Sequence, residues 1–399
     1  MDWLERQILE HPEQFDFRIK QLGSCQIPTP IRNRNFVSDD EKVLFSANVE
    51  FITQCRERSL PDFCYEKAGP RAKLFHDPAW TRAAIVTCGG LCPGLNDVIK
   101  GLVNTLALEY GVKTIYGIRY GYRGLIPDYH YSPLLLDPDT VDRIHEDGGS
   151  ILGSSRGNQD VGAICDTLQR LGINILFTVG GDGTHRGAHA IVEELTRRRQ
   201  QVSVIGVPKT IDNDLCFVGR SFGFETSIYS TTEVLTAAHN EAKGAPNGIS
   251  VVKLMGRDSG FIASYASLAH SVVNFCLIPE IPFTLEGPNG LLTGLERRFA
   301  AGKDHAVIVV AEGAGQDLFE NTEKKVDASG NEQKQDIGTF LADQIKAYAK
   351  KQGYDWTVKY FDPSYLIRSL PAFGTDAVYC LELAIAAVHA AMAGKTDMV

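Results

Sequence analysis

Between Pro208 and Leu215 the chain reads Pro-Lys-Thr-Ile-Asp-Asn-Asp-Leu, which places Lys209, Thr210, Asp212, Asn213 and Asp214 directly after the apolar run Val-Ser-Val-Ile-Gly-Val. Two carboxylates at alternate positions beside an ammonium and a hydroxyl make a compact catalytic kit. One aspartate can accept a proton from an attacking hydroxyl, and the other can orient groups or water around a metal. Lys209 and Thr210 can contact a transferred phosphoryl group. Phosphoryl transfer asks little covalent work of a protein: it needs an in-line nucleophile, a base and spread-out positive charge.

A second stretch, Phe-Thr-Val-Gly-Gly-Asp-Gly-Thr-His-Arg-Gly-Ala from Phe177 to Ala188, ends an apolar run on Gly180, Gly181, Asp182, Gly183 and Thr184. Three glycines around one carboxylate exceed what a tight turn requires. They imply a bulky anion lying against backbone N–H groups at the start of a helix. Thr87 to Gly101 repeats the theme with Gly89 and Gly90. Gly148 to Gly157 ends on Ser154, Ser155, Arg156 and Gly157, where Arg156 offers a bidentate cation. None of these loops fits the Walker pattern GxxxxGK[ST]. Asp182 has two readings: a cap on the following helix, or a ligand to Mg2+, which polyphosphates carry and proteins hold with one or two carboxylates.

The elements that must position these loops are legible from Arg82 onward. Short β-branched runs (Ala-Ala-Ile-Val-Thr-Cys, Ile-Asn-Ile-Leu-Phe-Thr-Val-Gly, Ile-Ser-Val-Val-Lys-Leu-Met, His-Ala-Val-Ile-Val-Val-Ala-Glu-Gly) alternate with helical patterns. Nearly continuous apolar strands separated by helices predict α/β architecture with mostly parallel sheets covered on both faces, and ligands at their carboxyl edges. Residues 1–80 lack that alternation and read as an N-terminal extension that packs on or embraces the body. Asn321 to Asp336 reads as a solvated surface loop, and the apolar pattern from Ala377 to Gly394 as a helix packed into the body.

With 399 residues, 44% hydrophobic and 22% charged, the chain has the profile of a soluble globular protein. A net charge of −9 argues against nonspecific attraction to nucleic acid or anionic membrane. The acidic N-terminus is neither a secretory signal nor a mitochondrial presequence. No stretch approaches the roughly 20 apolar residues of a membrane span. The nine cysteines, Cys88 and Cys92 included, lack metal-type spacing and are expected as reduced thiols in a cytoplasmic protein.

Gly-Gly-Asp-Gly-Thr alone is shared with NAD kinases and diacylglycerol-type lipid kinases. The addition of Pro-Lys-Thr-Ile-Asp-Asn-Asp, of Met-Gly-Arg-Asp-Ser-Gly-Phe-Ile-Ala (Met255 to Ala263) and of Pro-Glu-Ile-Pro-Phe (Pro279 to Phe283) narrows the match. From about Arg82 to its end the chain resembles the 6-phosphofructokinase family. The resemblance implies two similar three-layer αβα domains plus the extension. It divides the chain into a nucleotide-binding domain, 81–224 completed by about 368–386, and a sugar-phosphate domain, 225–367 completed by about 387–399. The implied reaction is phosphorylation of fructose 6-phosphate to fructose 1,6-bisphosphate, the committed step of glycolysis, by a homo-oligomer using Mg2+ and ATP. Asp212 would be the general base, Thr210 and Ile211 would line the substrate, and Asp214 would support the metal or its waters. Asp182 would bind Mg2+, while Gly90, Arg156, Gly157, Gly181, Gly183 and Thr184 cradle the nucleotide. Tyr122 would lie near the nucleotide, a core tyrosine being the alternative. Met255, Gly256 and Arg257 would meet the substrate, with Arg257 stabilising the transferring group, and Glu312 would bond sugar hydroxyls.

Two departures from many bacterial members stand out. The late sugar-phosphate motif reads Val-Lys-Tyr-Phe-Asp-Pro-Ser-Tyr-Leu-Ile-Arg-Ser, with Lys359, Tyr365 and Arg368 at the corresponding places of the 6-phosphate clamp, only Arg368 keeping its type, and Leu366 and Ile367 expected beside the substrate. Asn247 and Gly248 stand where an arginine is donated across a subunit boundary. The pattern is closer to the plant and trypanosomal branch. For the donor, Gly183 matches ATP users and Lys209 matches pyrophosphate users. Glycine leaves room for the inner phosphate of ATP, whereas lysine is a point charge for either donor. ATP is therefore the expected donor. Pyrophosphate, or a non-catalytic regulatory subunit of the same fold, is the alternative.

Overall fold

A computed structural model of the chain describes residues 1–32, 34–319 and 333–399. The solvated loop expected at Asn321 to Asp336 lies outside the described residues as far as 332.

The N-terminal segment has a small core of its own. Helix α1 (Trp3–Glu10) opens on a capping box in which Asp2 and Glu5 bond each other's backbone N–H groups. Strands β1 (Lys20–Gln21), β2 (Ile27–Pro28) and β3 (Lys42–Leu44), helix α2 (Val49–Glu57), β4 (Cys64–Glu66) and β5 (Lys73–Leu74) follow. Ile8, Leu9, Phe51, Cys55 and Phe63 are buried together, with Phe15, Phe17 and Phe45 packed against them.

The first large sheet runs β10-β9-β6-β7-β8, built from β6 (Arg82–Thr87), β7 (Thr114–Ile118), β8 (Leu134–Leu135), β9 (Ile175–Gly180) and β10 (Ser203–Pro208). All its pairings are parallel except β7 with β8. Its helices are α3 (Leu95–Asn104), α4 (Val161–Leu171) and α5 (Asp182–Arg197). Strand residues alternate between two covers, as a period of two requires. Ile85, Phe177 and Val207 face one buried cluster, and Val86, Leu176 and Val204 face another.

The second sheet is wholly parallel, β12-β13-β11-β14. Its elements are α6 (Phe224–Lys243), β11 (Gly248–Leu254), α7 (Phe261–Ala269), β12 (Phe275–Leu277), α8 (Leu291–Ala300), β13 (His305–Ala311), α9 (Ile337–Gln352), β14 (Thr357–Phe361) and α10 (Ser364–Arg368). Val252 and Leu254 join the same cluster as Ile85 and Phe177, so one apolar layer runs between the two sheets. Ile249 and Val251 face a separate cluster against α8 and α9.

The chain ends in α11 (Gly374–Met392) and β15 (Lys395–Thr396). Here two sequence expectations are corrected. Residues 387–399 do not complete the second unit: Ala387, Val388, Ala391 and Met392 sit in the layer beneath the first sheet, β15 pairs with β1, and Met398 bridges Ile205 on β10. Helix α11 is also long and apolar enough to cross a membrane, although no such stretch was expected. Its apolar stripe instead packs on α3, where the Cβ of Ala384 closes against Gly101.

Candidate active site

The loop that carries the expected base, Asp212, leaves β10 at Pro208 and is tied down within a few residues. Asp212 N–H and Asp214 both meet the Thr210 hydroxyl: it accepts from Asp212 N at 3.1 Å and donates to Asp214 Oδ1 at 2.8 Å. Ser221 Oγ donates to the Thr210 carbonyl at 2.6 Å, and Ser221 N donates to Asn213 Oδ1 at 2.8 Å. Ser259, from the loop between β11 and α7, donates its hydroxyl to the Asp212 carbonyl at 3.3 Å and so joins the carboxyl edges of the two sheets. Asn213 has a left-handed φ of 56°, a conformation asparagine tolerates better than most residues.

Asp212 is buried, and its Oδ1 has no hydrogen-bond partner. Burial, reinforced by the carboxylates of Asp214 and Glu312, pushes its pKa up to about 7, while Lys209 and Arg257 pull the other way. Lys209 is buried too, and loss of solvation drives its ammonium down from the ordinary lysine range. Its Nζ donates to the Gly90 carbonyl at 2.9 Å. A Cβ built on Gly90 would lie 3.4 Å from Arg156 Nη2 and 3.6 Å from Arg368 Nη1, so three cations converge on the first glycine loop.

Arg257 follows Gly256, with a φ of 49° at the arginine itself. Left-handed backbone at a non-glycine residue costs energy and persists where its surroundings enforce it. Glu312, at the end of β13, supplies that constraint by accepting Arg257 N–H on Oε1 at 2.9 Å. Gly313 completes the fit, because a Cβ there would fall 1.8 Å from the Arg257 carbonyl oxygen. Gly313→Ala is expected to displace Arg257 and lower the melting temperature by several degrees, measured by calorimetry.

The glycine loop at α5 is arranged differently from the capping reading of Asp182. Gly181 occupies the cap position, and Asp182 is the first helical residue, exposed and ion-paired with Arg186. Tyr122 is a buried tyrosine whose hydroxyl donates to the Thr184 carbonyl at 2.8 Å, bracing the first turn of α5 from beneath. At Gly183 an added Cβ would meet only Arg186 Nη2, at 3.9 Å. Gly157 is left-handed, with φ 95°.

The late motif is only partly gathered. Arg368 reaches Gly90 and lies over the Tyr365 ring at 4.6 Å, while Tyr365 and Leu366 are exposed and Ile367 is in the core. Met255 packs against the core. Lys359 sits in the middle of the edge strand β14 and is paired with Glu241 on α6, away from the carboxyl edge. Sequence reading did not single out Ser221 or Ser259. A serine among glycines has no spacing signature; Ser221 closes its own loop on Thr210 and Asn213, and Ser259 reaches the Asp212 carbonyl from another loop.

Asp182 and Asp214 are the carboxylates that would hold a metal brought in with phosphates, as one or two carboxylates and water suffice; in the structure Asp182 pairs with Arg186 and Asp214 accepts from the Thr210 hydroxyl. Among the described residues no group of three or more His, Cys, Asp or Glu side chains forms a protein-built metal cage. Cys88 and Cys92 are unpaired, and burial raises both thiols to about 12.

The site therefore joins a buried carboxylate, converging cations and glycine-lined helix starts at the carboxyl edges of two mostly parallel sheets. The family model described as Phosphofructokinase matches residues 82–391. The ATP-dependent 6-phosphofructokinase of Borreliella burgdorferi is 48% identical over 398 residues, covering 97% of this chain and 88% of that protein. That of Trypanosoma brucei brucei is 44% identical over 407 residues, covering 99% and 82%. In fold, the crystal structure of a pyrophosphate-dependent phosphofructokinase from Marinobacter aquaeolei superposes with a TM-score of 0.63 at 23% identity, covering 79% of this chain and 77% of that one. By matched length and identity alike, the chain belongs to the phosphofructokinase family.

Proposed function

We propose that this chain transfers the terminal phosphoryl group of ATP to the 1-hydroxyl of fructose 6-phosphate, giving ADP and fructose 1,6-bisphosphate. The observation that carries this reading is the buried, unpartnered Oδ1 of Asp212, surrounded by Lys209, Arg257, Asp214 and Glu312. A buried polar atom without a partner is costly, and an incoming sugar hydroxyl would satisfy it. Asp212 accepts the hydroxyl proton as O1 attacks phosphorus and the bond to the β-phosphate bridging oxygen breaks. A pKa near the working pH suits a base that must take a proton and then release it.

Arg257 bears on the transferring group, and Glu312 both fixes the Arg257 backbone and offers its remaining acceptor capacity to sugar hydroxyls. Lys209, Arg156 and Arg368 concentrate positive charge near Gly90, which an anionic donor and a sugar phosphate both require. Mg2+ bound with the nucleotide, with Asp182 as protein ligand and Asp214 behind it, would neutralise polyphosphate charge. Lys359 contributes to the clamp only if it leaves Glu241. Exposed Tyr229, Tyr265, Leu268 and Phe373, on and beside α6 and α7, support self-association as a homo-oligomer. Nine unpaired thiols support a reducing, cytoplasmic setting.

Phosphorus NMR of a reaction with ATP and fructose 6-phosphate tests the activity. A new monoester resonance at C1 together with ADP is the expected result, and an unchanged spectrum contradicts it. Pyrophosphate as donor is the second reading, favoured by the buried Lys209 ammonium.

The shifted Asp212 carboxyl has two measurable consequences. Catalysis needs the ionised form, so kcat/KM should fall as pH drops through about 7 in the free enzyme. Stability moves the opposite way. The folded pKa lies above the unfolded value of 3.8, so the folded state holds the proton more tightly, and that contribution is lost as pH rises through about 7. Asp212→Asn removes the buried charge. Its stabilisation over the unmodified chain should be larger at pH 8 than at pH 5, by roughly 2 kcal/mol, measured by chemical denaturation.

A further inference from the structure

The N-terminal segment meets the loop after β10 at Phe217. Phe217 stands five positions after Asp212 and is left-handed, with φ 65°, which a bulky aromatic residue rarely adopts. Its ring lies 6.0 Å from Phe15, 5.8 Å from Phe17 in an edge-on arrangement and 5.9 Å from Phe45. Those three phenylalanines belong to the segment before Arg82. Phe17 in turn contacts Phe63 at 5.6 Å and Tyr65 at 5.2 Å, and the group rests on the buried Ile8, Leu9, Phe51 and Cys55. A cavity of about 630 Å³ lies below, with Pro208, Phe217, Phe15, Phe17 and Tyr65 in its wall. It borders both ends of the catalytic loop, the end of β10 at Pro208 and the return at Phe217.

The first half of the loop is held by hydrogen bonds from Ser221 and Ser259. At the tip, the backbone bond from Val218 N to Leu215 O is internal to the turn. Beyond it the return is tied to α11, where Arg220 donates to the Thr375 carbonyl at 3.3 Å and its own carbonyl accepts from the Tyr379 hydroxyl at 2.8 Å. The aromatic contacts of Phe217 fasten the tip of the loop to the N-terminal segment. A cavity beside it leaves the loop room to shift if the ring is released. Displacement of a reacting group by about 1 Å can cost two orders of magnitude in rate.

We propose that Phe217 is a positioning residue for Asp212, and that the N-terminal segment holds it through Phe15, Phe17 and Phe45 as a clamp on the catalytic loop. The proposal rests on the reading of Asp212 as the base. It also gives the segment a role in the reaction that its distance in sequence from every glycine loop conceals. Phe17 lies outside the loop, so altering it leaves the chemistry of the loop's own residues untouched.

The test uses the full chain with ATP and fructose 6-phosphate, comparing Phe217→Ala, Phe217→Tyr, Phe17→Ala and the double alanine variant. Each alanine variant is expected to lower kcat about tenfold with both KM values within about twofold, the pattern of a misplaced reacting group rather than lost binding. Phe217→Tyr should restore most of the rate. The double variant should be no slower than the slower single, because both remove one joint. Amide hydrogen exchange in residues 211–217 should accelerate in Phe17→Ala, a readout that does not depend on turnover. Wild-type kcat in Phe17→Ala, rate losses that multiply in the double variant, or unchanged exchange in 211–217 would each overturn the proposal. If Phe217→Ala does not fold, Phe17→Ala decides. Absence of turnover in the unmodified chain would instead overturn the assignment of Asp212, and the exchange measurement would still decide the clamp.

Discussion

Asp212→Asn is expected to lower kcat by about a thousandfold while both KM values stay within about threefold. General-base catalysis by a positioned carboxylate contributes roughly 10²–10⁴ in rate. A loss confined to kcat marks an interaction made in the transition state. Asparagine keeps the shape of the side chain, so the bonds to the Thr210 hydroxyl and from Ser259, which use the backbone of residue 212, should survive. Steady-state rates together with unchanged nucleotide and sugar-phosphate binding by calorimetry would establish the role. A variant retaining most of its rate would mean that another group takes the proton.

Gly183→Asp should abolish use of ATP, by at least about a hundredfold in kcat/KM, without unfolding the chain. The site accepts a Cβ with nothing nearer than Arg186 Nη2 at 3.9 Å. A carboxylate in the first turn of α5 is also favoured by the helix dipole. What changes is the space beside the glycine loop, where a second carboxylate would face the inner phosphate. A like charge within about 5 Å costs roughly 3 kcal/mol at an effective dielectric constant of 20. Retained ATP turnover in a folded variant would show that Gly183 does not face the nucleotide.

Much of this arrangement was legible in the residues. The apolar runs at Arg82, Ile175, Ser203, Gly248 and His305 are strands because they are β-branched and buried on both faces, which leaves a strong local signal. The loops at their ends were legible as well, since glycines beside Asp182 and the pair Asp212 and Asp214 are hard to explain as packing alone. What stayed hidden depends on contacts distant in sequence. The chain's last residues read as a helix and a tail, and nothing local shows that β15 pairs with β1 and not with the second sheet. Lys359 has the right type for a phosphate clamp, yet its strand register places it beside Glu241. Tyr122 is an aromatic residue next to a glycine loop, and only the bond to the Thr184 carbonyl shows that it supports the loop from inside. The orphaned oxygen of Asp212 could not be read either, because desolvation arises only once both sheets close over it.

In the proposed reaction Asp212 activates a sugar hydroxyl for attack on ATP beside a glycine-lined space at Gly183. A coupled assay for fructose 1,6-bisphosphate tests it most directly, with the unmodified chain and Asp212→Asn each given ATP or pyrophosphate at equal magnesium. Product is expected from ATP with the unmodified chain alone. Product from pyrophosphate but not from ATP, or undiminished product from Asp212→Asn, would contradict it.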